Sequence, residues 1–223
     1  LTHLKFGENF NQPLHEGVLP LSLTHLTFGV YFNQPLNEAV LPSNLTHLTF
    51  GEHFNQPLNV GVLPSSLTYL TFGGSEKLPH HILDVDETFE ESFDHPLEEG
   101  VLPSGLLHLN LGDTFNQPLK VGMFPSGLKQ LAFGFHFNEF LREGELPTTL
   151  TQLTFGCKFN QPLHEGVLPP TLTQLTFGDH FDQPMNEGVL PSTLTELTFG
   201  DAFDHFLEDG VLPAGIFLFN HFL

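Results

Sequence analysis

Apolar positions recur along this chain in one fixed order. In Leu23-Thr24-His25-Leu26-Thr27-Phe28-Gly29, Leu26 and Phe28 alternate with His25 and Thr27, the period of a strand with one buried face. Leu23 lies three residues earlier and turns inward as the chain enters that strand. The unit restarts at Leu1, Leu23, Leu45 and Leu67, then at Leu106, Leu128, Leu150, Leu172 and Leu194, and Ile216 opens a partial last one. Within each run the step is 22 residues, so one structural unit is stacked many times and the chain is a solenoid. A Gly follows each strand where the backbone bends. Two prolines per unit (Pro13 and Pro20, Pro35 and Pro42, Pro57 and Pro64) leave no room for an ordinary helix on the return path. The return is therefore read as extended segments and tight turns, with one 3₁₀ turn around Pro-Ser-Ser. The expected fold is mostly β.

Stacked strands sit about 4.8 Å apart, so roughly ten coils make a rod about 50 Å long. Columns then matter more than rows. Two Phe columns fill the core: Phe6, Phe28, Phe50, Phe72, Phe133, Phe155, Phe177 and Phe199, and Phe10, Phe32, Phe54, Phe115, Phe137, Phe159, Phe181 and Phe203. An Asn column follows the second Phe (Asn11, Asn33, Asn55, Asn116, Asn138, Asn160), with Asp94, Asp182 and Asp204 substituting. Both residue types carry a side-chain oxygen suited to accepting backbone N–H bonds from the adjacent coil. After Phe72-Gly73-Gly74 the pattern breaks, and Thr88-Phe89-Glu90-Glu91-Ser92-Phe93 restores it after a coil of seventeen residues. Glu87 stands there at the inward Leu position, costly to bury unpaired, so a bulge is expected. The chain is read as one solenoid domain, 1–223: regular coils 1–72 and 89–215, an irregular acidic coil 73–88, and a partial terminal coil 216–223.

Charge narrows the partners. Six Lys+Arg stand against 26 Asp+Glu, a formal net charge of −20. Phosphate binding needs clustered Lys and Arg, so neither nucleic acid nor an anionic membrane is expected as a partner. A basic protein or a cation is compatible. Cys157 is the one cysteine, which excludes an intrachain disulfide framework. No apolar run approaches the roughly 18 residues of a membrane span. The chain opens on a repeat position without Met or a signal-like segment and is read as a fragment; location is left open, with the cytoplasm favoured.

The repeated phrase L-T-x-L-T-F-G-x-x-F-N-Q-P-L-x-x-G-V-L-P-S-x-L resembles the FNIP repeat, a 22-residue relative of the leucine-rich repeat. In the second copy the matches are Leu23, Leu26, Phe28, Phe32, Asn33, Pro35, Leu41 and Pro42. Phe140 and Phe206 depart from it where Pro is expected. The resemblance implies a leucine-rich-repeat-like solenoid with one parallel sheet, few or no α-helices, a protein-interaction surface and no shared catalytic residues. Some members carry an F-box and select ubiquitin-ligase substrates; these 223 residues contain none.

In such a solenoid the outward strand positions form the ligand-facing sheet. One column is His3, His25, His47, Tyr69, His108, Gln130, Gln152, Gln174 and Glu196; its neighbour is Lys5, Thr27, Thr49, Thr71, Asn110, Ala132, Thr154, Thr176 and Thr198. Apart from Ala132, these are the candidate partner-binding residues. Stacked histidines have the chemistry for Zn²⁺ or Ni²⁺, yet a polar ladder fixed by duplication explains them more simply. If crowded, they would oppose one another's protonation. Regular Thr hydroxyls suit ice or carbohydrate, but Thr is also a good strand former. Glu16, Glu38, Glu99, Glu143, Glu165, Glu187 and Asp209, with Asp84, Asp86, Glu87, Glu90 and Glu91, offer oxygen ligands for Ca²⁺ without EF-hand spacing. A solvated edge accounts for them. Cys157 shares a variable column with Glu8, Val30 and Phe135, unlike a catalytic nucleophile. Asn44-Leu45-Thr46 is a chance sequon. The expectation is a non-enzymatic scaffold, without cofactor or metal, binding a protein through its sheet face. The alternative is a structural protein that self-assembles end to end or side by side through terminal strands.

Overall fold

The structure, a computed structural model, describes residues 1–73 and 92–219. Ten three-residue strands form one parallel sheet in chain order: β1 (His3–Lys5), β2 (His25–Thr27), β3 (His47–Thr49), β4 (Tyr69–Thr71), β5 (His108–Asn110), β6 (Gln130–Ala132), β7 (Gln152–Thr154), β8 (Gln174–Thr176), β9 (Glu196–Thr198) and β10 (Phe217–Phe219). Pairing is in strict register, so His3 faces His25 and Leu4 faces Leu26. No helix occurs among the described residues. The turn expected as 3₁₀ is a single i→i+3 bond, as from Leu45 N–H to Pro42 O at 3.0 Å, and the chain then enters the next strand.

The burial pattern follows the sequence period. The entrance residues Leu23, Leu45, Leu67 and Leu106 are fully buried, as are the strand-centre residues Leu48 and Leu70. The two Phe columns interlock. Phe28 stacks on Phe32 within its coil at 3.9 Å between ring centroids, and on Phe50 of the next coil at 5.5 Å. Offset stacking at these separations adds about 0.5–1.5 kcal/mol per pair beyond area burial. Leu111 interrupts the first column between Phe72 and Phe133, while Phe93 continues the second between Phe54 and Phe115.

Coils are tied together by more than the sheet. Past the strand, Tyr31 N–H donates to Glu8 O and His53 N–H to Val30 O, each at 3.0 Å. The Asn column acts as expected: Asn33 Oδ1 accepts from Asn55 N–H at 2.9 Å and from the Gln56 amide at 2.9 Å. Asp94 does the same for Asn116 and Gln117. On the far side of the return, Thr149, Thr171 and Thr193 hydroxyls donate to carbonyls of the preceding coil, at 2.7 to 2.9 Å.

The strand-ending glycines have a sharper reason than bending. A Cβ built on Gly51, Gly134, Gly156 or Gly178 would fall on the carbonyl oxygen of the preceding coil's glycine, far inside contact distance. Only a residue without a side chain lets the backbones of successive coils approach so closely. On the return path Gly17, Gly61 and Gly166 have φ near +80°, and Ala39, at the same position, adopts φ +63°.

The irregular coil expected after β4 falls almost wholly outside the described residues, but the strands on either side of it are placed. β4 pairs directly with β5, Tyr69 opposite His108 and Leu70 opposite Leu109, so no strand stands between them. The step between equivalent positions is 108 − 69 = 39 residues, one 22-residue coil plus 17. Phe93 completes the coil that Phe72 begins, the two rings stacking at 4.1 Å. Residues 74–91, and with them the expected bulge at Glu87, lie outside the described residues.

Candidate functional site: the outer face of the sheet

Strands β2–β9 bury their central Leu and, Thr71 apart, turn their first and third residues outward, because successive side chains alternate. The register stacks these outward positions into two rows. His3, Lys5 and Glu196 are exposed. His25, Thr27, His47, Thr49, Tyr69, His108, Asn110, Gln130, Gln152, Thr154, Gln174, Thr176 and Thr198 are half-buried. Thr71 differs: it is only 3% exposed and its Oγ1 has no hydrogen-bond partner, so it is part of the packed layer rather than the accessible face. Asn110 is turned toward its own strand end, its Oδ1 accepting from Gly112 N–H at 3.0 Å.

The first row has two chemical halves. In β1–β3 the imidazoles of His3, His25 and His47 stack face to face, with successive centroids 4.1 Å apart and planes within 18°. Tyr69 continues the stack at 5.5 Å from His47, and His108 follows, tilted, at 5.7 Å. His108 Nδ1–H donates to Gln130 Oε1 at 2.7 Å, which opens the second half, a row of Gln ending where the Gln174 amide donates to Glu196 at 3.0 Å. Between the rows, across β4–β7, runs a shallow depression of about 150 Å³ whose rim includes Tyr69, His108, Gln130 and Ala132.

Parallel rings are poor chelators, since their outward nitrogens run side by side instead of converging on one ion. Among the described residues no group of three or more His, Cys, Asp or Glu is placed to hold a metal. The Glu column lies on the return path, exposed along its length, and its side chains pass over the glycine of the next coil, as Glu165 does over Gly188. Among the described residues the acidic charge therefore sits away from the sheet rows, which hold a single carboxylate, Glu196, and a single lysine, Lys5. Cys157 Sγ–H points to Asp179 Oδ2 at 3.8 Å; burial, then the Asp179 charge, pushes its thiol up, which disfavours the nucleophilic thiolate. No helix among the described residues is long and apolar enough to cross a membrane.

One cluster is absent from the candidate residues named from the sequence. Glu145 is 5% exposed, in the column otherwise held by Val40, Val62, Val101, Met123, Val167 and Val189. Its Oε2 accepts from Arg142 N–H at 2.8 Å and its Oε1 from the Arg142 guanidinium at 3.3 Å. That guanidinium also lies 5.8 Å from the Phe140 ring, whose other neighbour is His164. The signal was present: a carboxylate in a Val column, three residues after Arg142 and five after a Phe in the Pro column.

The FNIP repeat model matches residues 1–31, 32–75, 115–158, 159–202 and 187–216. Among solved structures, the chain is similar to CroV588, described as a circular leucine-rich-repeat protein, at 43% identity and a TM-score of 0.76. The match covers 96% of this chain and 32% of that one, so the chain spans about a third of that relative's length. A weaker likeness, 14% identical with a TM-score of 0.37, is to the pneumococcal vaccine antigen PcpA, covering 99% of this chain and 62% of that one. No curated protein matches the sequence significantly. With matches from residue 1 to residue 216, and a fold shared at 43% identity, the chain belongs to the FNIP-repeat family.

Proposed function

We propose that the chain is a non-enzymatic scaffold whose sheet face binds another protein. The observation that carries this reading is the division of labour within each coil. Inward positions hold nearly constant Leu and Phe, while the accessible outward row changes from His to Tyr to Gln to Glu within one unchanging backbone register. Such a surface varies in chemistry without cost to the fold, which is what recognition by a repeat array requires. Aromatic and amide side chains around the β4–β7 depression suit a polar, hydrogen-bonding partner surface. A basic partner would instead meet the Glu edge on the return path.

Affinity capture from a cell extract, with wild type compared against two variants, tests the assignment. Tyr69→Ala/Gln130→Ala/Gln152→Ala alters the face, and Glu165→Ala/Glu187→Ala alters the edge. A protein retained by the wild type and the edge variant but lost from the face variant is the expected result. Retention by the face variant and loss from the edge variant overturns the assignment to the sheet.

A second reading, end-to-end self-assembly, is favoured by Phe206, which stands in the Pro column and is 89% exposed. A second copy stacked against it would cover this ring. The relative CroV588 is described as circular. Sedimentation velocity decides: assembly that grows with concentration and weakens in Phe206→Glu is expected, and a concentration-independent monomer overturns it.

A further inference from the structure

Nothing in coil formation demands three imidazoles in register. The same outward position holds Gln130, Gln152 and Gln174 in β6–β8, under identical strand pairing. The histidines of β1–β3 are moreover held by a repeated device. Thr24 Oγ1 lies 3.1 Å from Thr2 O and 2.9 Å from His25 Nδ1; Thr46 Oγ1 lies 3.0 Å from Thr24 O and 2.9 Å from His47 Nδ1. A hydroxyl has one proton. With that proton given to the carbonyl, Nδ1–H of each imidazole donates to its Thr oxygen, and Nε2 is left as the site of protonation. The Nε2 atoms then form a row along the outer edge of a stack with a 4.1 Å repeat.

The surroundings offer imidazolium charges little relief. On the elements packed against the stack, the titratable or charged groups facing it are Lys5 on β1, Tyr69 on β4 and His108 on β5. β1–β5 carry no carboxylate; Glu8 and Glu52 lie beyond the strand-ending glycines. We propose that the His3–His25–His47 stack is a proton-operated switch that keeps the N-terminal part of the sheet face closed at pH 7 and loosens it in acid, while the Gln-bearing strands β6–β8 are unaffected.

Burial, followed by the charges of neighbouring histidines, lowers the pKa of both His25 and His47 below the usual 6.5. As pH falls through 6.5 the unfolded or locally opened chain takes up protons that the stacked form refuses. Stability of the stacked form is therefore full above pH 6.5, falls below it, and stops falling once the pH is under the lowered values. The consequence is local, because each coil contacts only its neighbours.

Imidazole NMR titration of the whole chain, with amide hydrogen exchange at pH 7.5 and 5.5 corrected for the intrinsic pH dependence, tests the switch. The variant is His47→Gln, the residue that β6–β8 already accommodate. In the wild type, His25 and His47 should titrate below 6.5, and opening of β1–β3 amides should rise several-fold at pH 5.5 with β6–β8 unchanged. In His47→Gln the His25 midpoint should move up toward 6.5, and the acid-induced opening should shrink by at least half. An unmoved His25 midpoint, or opening that rises equally in β1–β3 and β6–β8, overturns the proposal.

Discussion

A carboxylate in a column of valines sets two demands against each other. Glu145 must be desolvated, and its partner Arg142 keeps a side chain that is 65% exposed, so attraction between them is screened while the cost of burial is not. Both carboxylate oxygens are nevertheless bonded, one to Arg142 N–H and one to the guanidinium. Replacing a buried, bonded ion by a well-packed apolar residue is often neutral or stabilising, by about 1–4 kcal/mol. Glu145→Val introduces the residue that Val167 and Val189 show to fit this coil position. The urea midpoint should therefore rise or stay level; a clear fall would show that the Arg142 N–H bond outweighs desolvation. Ala39 illustrates the opposite tolerance: its φ of +63° costs roughly 1–2 kcal/mol in a position its siblings fill with glycine, and the coil absorbs it.

At the scale of one coil, the Asn column works as a ladder independent of the sheet. Asn138 Oδ1 accepts from Asn160 N–H at 2.8 Å and from the Gln161 amide at 3.2 Å. Only the oxygen is used, which is why Asp94 and Asp182 serve the same role for Asn116 and Asp204. Where Asp182 stands, His205 replaces Gln and its Nε2 lies 3.3 Å from the carboxylate, so the substitution is matched by its partner. Asn138→Asp should change unfolding free energy by less than about 0.5 kcal/mol, whereas Asn138→Leu, which takes the acceptor from Asn160 N–H while the Gln161 amide keeps the carbonyl of residue 138, should cost about 1 kcal/mol. Equal losses from the two variants would remove the oxygen from the explanation; chemical denaturation measures both. This ladder was legible in the sequence, because Asn and Asp share an acceptor and little else. The glycine column was legible as a bend, but not as a backbone contact between Gly134 and Gly156, since nothing in one copy reports how closely the next will approach. The direct pairing of Tyr69 with His108 was not legible for a related reason, since the spacing within one copy does not say which later strand it will meet; Thr88-Phe89 lies outside the described residues. Alternation alone puts the first and third residues of a strand on one face, whereas the burial of Thr71 and the face-to-face stacking of His25 depend on neighbours that no single strand encodes.

For the whole molecule, identical letters acquire different energies from their distance to an end. Phe159 is fully buried between Phe137 and Phe181, each about 6 Å away, while Phe10, in the same column, has Phe32 on one side and is only half-buried. If stability is a sum of coil terms and nearest-neighbour contacts, a central ring contributes two interfaces and an outermost ring one. Phe159→Ala should cost about 3–5 kcal/mol, the range for deleting a buried aromatic. Phe10→Ala should cost about half as much or less, because its ring already retains contact with water and removing it leaves a smaller void. Denaturation in urea, monitored by hydrogen exchange coil by coil, measures both costs and shows where the loss is felt. Equal penalties at the two sites would mean that the array unfolds as one indivisible unit, or that a further coil covers Phe10 in solution. Sedimentation separates those outcomes, and the second would carry the end-to-end reading with it. The Gln positions of the sheet face stand apart from this energetics: they contribute little to the Phe columns, so Gln130→Ala or Gln152→Ala should each move stability by no more than about 0.5 kcal/mol. Loss of a partner in a face variant can then be read as recognition rather than as unfolding.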